Sequence, residues 1–265
     1  MVKIADIIQK IEEFAPLALA EDFDNCGLKI GNVKEEVSGI LVTVDTDLSV
    51  IREAKEKGCN FILEHHPSIW HPLKKIDVNV PLNAALIEAA KNDIAIYSAH
   101  TNVDYTEGGL NDYVAEKMLL SDVRSPFGPS SARVGFLNTN DKMSLKQYAC
   151  LLARIFDDDS ISVVGDPNKP IGKVAVINGG GGGREDVLWA TYSDGCDVFV
   201  TAEVKHNVAR LANSLNYAII QFSHYKSEAD FMPLMQKILQ KAYPVPVYCA
   251  ESVRSPFISR GEIWN

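Results

Sequence analysis

The sequence has no apolar run of the roughly 18 residues that a membrane-spanning helix needs, so no membrane partner is expected. It has no Cys-x-x-Cys pair. Its five cysteines (Cys26, Cys59, Cys150, Cys196, Cys249) are odd in number. They read as reduced thiols of a cytoplasmic protein. The opening stretch MVKIADIIQKIEEF is amphipathic and carries acidic residues early, unlike a secretory signal. Basic charge is in deficit: 26 Lys and Arg face 35 Asp and Glu, for a net charge of −9, which argues against general nucleic-acid binding. No GxSxG, HExxH or Walker pattern occurs. With 46% hydrophobic and 23% charged residues, the composition of the 265-residue chain excludes a disordered, collagenous or disulfide-framework protein, and its length suits one large or two modest domains.

Helical spacing of apolar residues marks 4–15, 48–57, 83–92, 144–156, 185–194, 206–215 and 228–242, with Asp47 and Ser144 as caps and Gly58 and Gly195 as stops. Pro233 requires the last of these to kink or to begin nearby. Between them lie short apolar runs at 40–44, 60–63, 94–97, 174–177, 198–200 and 218–222, of the kind that form buried strands. The alternation predicts an α/β fold with mostly parallel sheets. Ser121–Ala132, with two prolines and four serines, reads as a linker.

The second half echoes the first. Residues 39–62 align with 172–200, each a strand, a turn, a helix, then Gly-Cys-Asn or Gly-Cys-Asp and another strand. IAIYSAHTNVD aligns with IIQFSHYKSE, which superposes His100-x-x-x-Asp104 on His224-x-x-x-Glu228. The pattern predicts two α/β units of similar topology from an internal duplication, at 1–125 and 126–265, with a C-terminal segment able to cross back to the first unit. Chance similarity between two strand–helix–strand units is the alternative.

Four of the six histidines directly follow buried strands: His65, His66, His100 and His224. Ligands of open α/β sheets bind beyond the carboxyl ends of strands. Imidazoles with the carboxylates of Asp104 and Glu228 suit Zn, Fe, Mn, Co or Ni, and their number exceeds one tetrahedral site and fits a pair of metals. The competing reading is a scatter of solvated strand-end polar residues. Glu203 and His206 are candidates for supporting contacts or for an ordinary helix start. Gly179–Gly183 invites phosphate binding through backbone N–H groups, but a flexible strand-to-helix turn is the default. Asp24 and Asn25 can orient ligands or simply build a turn, and Cys26 has no evident base.

The segments EDFDNCGLKIG, ILEHHPSIW, YSAHTNVDYTEGGLND, TAEVKH and SHYKSE together resemble the GTP cyclohydrolase 1 type 2-like family, also called Nif-three-like or YbgI, over residues 1 to about 240. The resemblance implies two interlinked α/β domains, a toroidal homohexamer and a dinuclear metal site with two divalent transition metal ions per chain. Carried over by position, the metal ligands are His65, His66, Asp104, His224 and Glu228, with His100 beside the site. Ala202 and Ser223 stand where the family usually has glycine, and Glu64 where a small or apolar residue is usual. These departures bear on substrate shape more than on metal binding.

Three functions follow. The first is a di-metal hydrolase acting on a small nucleotide-like substrate such as GTP, with His100 as its catalytic acid or base. The second is a non-catalytic metal-binding or metal-delivery protein with the same ligands. The third is an oligomeric interaction scaffold.

Overall fold

The computed structural model describes residues 1–126, 130–139 and 142–257. In chain order the first elements are α1 (Ile4–Phe14), β1 (Gly27–Ile30), β2 (Ile40–Thr43), α2 (Leu48–Glu56), β3 (Phe61–Glu64), α3 (Pro81–Lys91), β4 (Ala95–Ser98) and the short helix α4 (Thr101–Tyr105). Then come α5 (Leu110–Lys117), β5 (Leu120–Arg124), β6 (Arg133–Leu137), β7 (Met143–Ser144), α6 (Leu145–Ile155), β8 (Ser162–Val164), β9 (Pro170–Ile171) and β10 (Lys173–Val176). A 3-10 turn over Gly179–Gly183 leads to α7 (Glu185–Ser193), β11 (Val198–Thr201), α8 (His206–Ser214), β12 (Ala218–Gln221), α9 (His224–Glu228), α10 (Phe231–Ala242) and β13 (Val247–Cys249). No described helix is long and apolar enough to cross a membrane.

Two compact units result. The first combines Met1–Thr106 with Phe231–Arg254, and the second is Glu107–Asp230, to which residues 255–257 also belong. The division falls at 106/107 rather than 125/126 because β5 pairs with β6, placing it in the second sheet. Ser121–Ala132 is accordingly no simple linker: β5 occupies its start as a strand, β6 begins just beyond it, and 127–129 lie outside the described residues.

In the first unit the sheet order is β1-β4-β3-β2-β13. Strands β4, β3, β2 and β13 run parallel, and β1 is antiparallel on the edge. Every residue of β2, β3 and β4 is buried, as expected of strands covered on both faces. Leu41, Ile62 and Ile96 pack with Val50, Ile51 and Ala54 of α2 and Ala85, Leu86 and Ala89 of α3. Each large side chain so buried contributes roughly 1.5–3 kcal/mol. The Asp47 side chain caps α2 by accepting from the Ser49 and Val50 N–H groups. Helix α3 starts two residues ahead of the expected Asn83 because Pro81 suits a first helical position, where its missing N–H costs nothing.

The second unit has a six-stranded sheet ordered β5-β6-β10-β11-β12-β8. Only β10, β11 and β12 are mutually parallel; β5, β6 and β8 add antiparallel pairings, so this sheet is mixed rather than mostly parallel. Ala175, Phe199 and Ile219 form its core with Val187 and Leu188 of α7 and Val208 and Ala212 of α8. The expected helix over 228–242 divides into α9 and α10. Pro233 is the third residue of α10, inside the first turn, where a helix tolerates it.

Candidate metal-binding sites

Register places His65, His66 and His100 at the carboxyl end of the first unit's parallel strands. Thr43 of β2 pairs with Glu64 of β3, and Glu64 pairs with Ser98 of β4. The residues just beyond these ends are Asp45, His65 with His66, and His100. Ligating atoms of His65, His66 and His100 all lie within 4.8 Å of one another. The ring centroids are 5.2 Å apart for His65 and His66 and 5.0 Å for His65 and His100. His65 is fully buried, with the Phe231 ring centroid 4.7 Å away.

Each ring has its Nδ1 held by an oxygen. His65 Nδ1 lies 3.0 Å from the Ala99 carbonyl, His66 Nδ1 2.8 Å from Asp45 Oδ1, and His100 Nδ1 3.0 Å from Asp24 Oδ2. A carbonyl can only accept, and so can an ionised carboxylate, so Nδ1 is the donor in each ring. In the neutral tautomer this leaves the lone pair on Nε2. Metal-binding histidines are commonly oriented in this way.

Asp24 is the most heavily used of these oxygens. Its carboxylate also accepts from the Thr101 N–H and hydroxyl, from the Asn25 N–H and from Cys26 Sγ. Burial alone would raise its pKa, but the hydrogen bonds from His100 and Thr101 hold the carboxyl well below the usual range. Burial and the Asp24 charge push the Cys26 thiol up to about 11, which keeps it protonated and unreactive.

One oxygen of Glu64 is committed to neighbouring serines. Its Oε1 accepts from the Ser68 N–H at 2.7 Å and the Ser98 hydroxyl at 2.6 Å, and complete burial raises its pKa. Asp104 lies one helical turn beyond His100 in α4, half-buried.

The second unit repeats the placement at the ends of β10, β11 and β12, which lead to Gly179, Glu203 and His224. His224 Nδ1 lies 2.8 Å from Glu203 Oε1, and Nε2 2.9 Å from Glu228 Oε2 one turn further along α9. The Glu203 oxygen on Nδ1 sets this ring as the oxygens set the three above, which turns Nε2 toward Glu228. Glu228 is buried, whereas Glu203 is exposed and adopts φ +54. The Ser227 hydroxyl donates to the His224 carbonyl and accepts from the Gly179 N–H.

The glycine run has a steric reason. Gly179, at φ +59, leaves the space that Glu228 fills: an added Cβ would overlap Glu228 Oε1 and stand 3.3 Å from His224 Nε2. At Gly181 it would overlap Ile177, and at Gly182 the Ala202 carbonyl. The turn is therefore packed closely against β11 and α9, and its glycines serve that approach rather than flexibility.

Imidazole and carboxylate donors of this kind fit Zn, Fe, Mn, Co or Ni, and the space kept at Gly179 is the kind of cradle a ligand pair requires. Of the sequence candidates, the structure groups His65, His66 and His100 in the first unit and His224 with Glu228 in the second. His206 opens α8 at an exposed position, and His71 lies exposed in the β3–α3 connection. Asp45 escaped the sequence reading. Its signal, an acidic residue at the end of a buried strand beside the His-His pair, is visible only once β2 and β3 are known to be neighbours.

The chain is similar to known proteins along most of its length. A GTP cyclohydrolase 1 type 2 homolog of Clostridium acetobutylicum is 33% identical over 248 residues, covering 91% of each chain. A Bacillus cereus protein related to NIF3 superposes with a TM-score of 0.90 at 23% identity, over 97% of this chain and 99% of that one, which shows the fold. A Staphylococcus aureus protein, SA1388, does so with a TM-score of 0.88 at 25% identity over 97% and 99%. Residues 2–256 match the model of the Duf34/NIF3 (NGG1p interacting factor 3) family, and with a relative this similar along nine-tenths of both chains, the protein belongs to that family.

Proposed function

We propose that the chain binds two divalent transition metal ions through His65, His66, Asp104, His224 and Glu228, and that it is a hydrolase of a small nucleotide-like substrate. The observation that carries the metal reading is the uniform tautomer setting of His65, His66 and His100, each with Nδ1 committed to an oxygen. When bound, such ions supply Lewis acidity and a water acidic enough to attack near neutral pH. Asp24 orients His100, whose Nε2 is then placed to take up or deliver a proton. The name of the Clostridium relative supports a nucleotide such as GTP as the first substrate to try.

A second reading has its own observation. The ligating atom of His100 lies within 4.8 Å of those of His65 and His66, so His100 can complete a protein-saturated metal shell, as in a metal-binding or metal-delivery protein. Elemental analysis separates the two. Wild type is expected to hold about two transition metals per chain, and His65→Ala with Glu228→Ala to lose them. His100→Ala that keeps both metals and loses GTP turnover supports the hydrolase; His100→Ala that loses metal supports delivery. A wild type that binds no Zn, Mn, Fe or Co overturns both. The homohexamer and the cytoplasmic location belong to the same proposal, and sedimentation analysis of the purified protein tests the assembly.

A further inference from the structure

Two large aromatic side chains of the first unit are left open to solvent beside the histidine set. Phe23 is 63% exposed and Trp70 38%. Their ring centroids are 6.3 Å apart with the planes tilted by 36°. Trp70 also stands edge-on to His100, centroid to centroid 5.4 Å at 69°.

The loops that carry the two rings are braced. Asn25 Nδ2 donates to the Ile69 carbonyl at 2.5 Å, which ties the Phe23 turn to the Trp70 loop. Asp24, between Phe23 and Asn25, is bonded to His100 and to the Thr101 N–H. The aromatic pair is thus held at a fixed place relative to His100. Exposed aromatics on a mobile loop would need no explanation; exposed aromatics on a braced one hold an apolar surface ready.

We propose that Phe23 and Trp70 form a stacking platform for a planar heteroaromatic ring, the base of the substrate. The inference rests on the nucleotide-like reading above and names the part of that substrate the chain grips. The two rings, 6.3 Å apart and tilted by 36°, are closer than the roughly 7 Å a ring sandwiched between them needs, so a flat base stacks on the exposed face of the pair, which a branched aliphatic group covers less well. Without metal, the charged groups bonded to His66 and His100, Asp45 and Asp24, are carboxylates, so in the metal-free protein recognition through the ring is favoured over recognition through phosphate. Trp70 then places a bound ring against His100, the group assigned to proton movement.

The test is calorimetric titration of the full-length protein, metal-loaded and after chelation, with guanosine, GTP and ribose 5-phosphate. Tryptophan fluorescence serves as the second readout. After chelation, guanosine and GTP are expected to bind comparably and to quench fluorescence, with ribose 5-phosphate at least tenfold weaker; metal is expected to add affinity for the two phosphates and none for guanosine. Trp70→Ala and Phe23→Ala should each weaken guanosine about 5- to 100-fold, the effect of losing one stacking partner. Trp70→Phe should retain most of the affinity, and metal content should be unchanged in all three variants. Ribose 5-phosphate binding as tightly as guanosine after chelation, wild-type affinity in both alanine variants, or no ring binding to the wild type overturns the platform. Guanosine bound by a protein that takes up no metal leaves the platform standing and overturns the metal reading alone.

Discussion

Gly179 shows how much one absent methyl group decides. The Gly179→Ala variant is expected to displace Glu228 and to weaken metal binding tenfold or more, read by metal titration. Gly58→Ala is the control: Gly58 also has a positive φ, of 70°, but nothing lies within 4 Å of an added Cβ. It should cost about 1 kcal/mol in denaturant unfolding and leave metal affinity unchanged. Asp45→Ala removes the acceptor that orients His66 and should lower metal affinity 10- to 100-fold without unfolding the chain. Thiol chemistry gives another test at this scale. Cys150 is exposed, while burial pushes Cys59 up to about 11 and Cys196 up to about 12. A disulfide reagent at pH 8 should therefore modify Cys150 rapidly and Cys26, Cys59 and Cys196 only after denaturation. The strand-end histidines were legible in the sequence because a polar residue after a buried apolar run has few other places to go. Asp45 was not, because Asp45-Thr46-Asp47 reads locally as the cap of a helix, which Asp47 alone turns out to be.

At the scale of elements, Glu53 is the clearest tie. It lies on α2 and accepts from the Glu251 N–H, the Ser252 N–H and the Ser252 hydroxyl, so it fastens the exit of β13 to that helix. Burial would raise its pKa, but these hydrogen bonds hold the carboxyl below its ordinary 4.5. A depressed folded-state value means that the stabilisation is fully present above 4.5 and fades as pH falls below it. Glu53→Gln should cost about 1–3 kcal/mol at pH 7, and less as the pH of the comparison is lowered through 4, in parallel urea titrations. The predicted helices and central strands agree with the observed ones to within a few residues wherever the apolar pattern is long or unbroken, as in α1, α6 and the run β2–α2–β3. The edges of the sheets were not legible. Strands β1, β5, β8 and β13 are short and partly exposed, and such strands carry too weak an apolar pattern to stand out from a turn. The division of 228–242 was hidden as well, because Glu228 and Phe231 both fit a single helical stripe and only the break between α9 and α10 separates them.

On the scale of the whole molecule, connectivity matters more than size. The second unit is essentially one continuous segment, Glu107–Asp230, whereas the first is assembled from both ends of the chain. A fragment spanning Glu107–Asp230 should unfold cooperatively by circular dichroism, because its main sheet is complete. Residues 1–106 alone should not, because β2 would lose its parallel partner β13 and expose an edge. The order in which the ribosome releases the chain gives the late return of α10 and β13 a meaning in time. His65 is made before the whole of the second unit, whereas the Phe231 ring that packs on it and the strand that closes its sheet are made after it. At about 5–20 residues per second the nascent histidine set stays unfinished for many seconds. The first unit is thus completed only after the second has been made, and a product cut short before Phe231 carries the histidines without the ring and the strand that hold them in place.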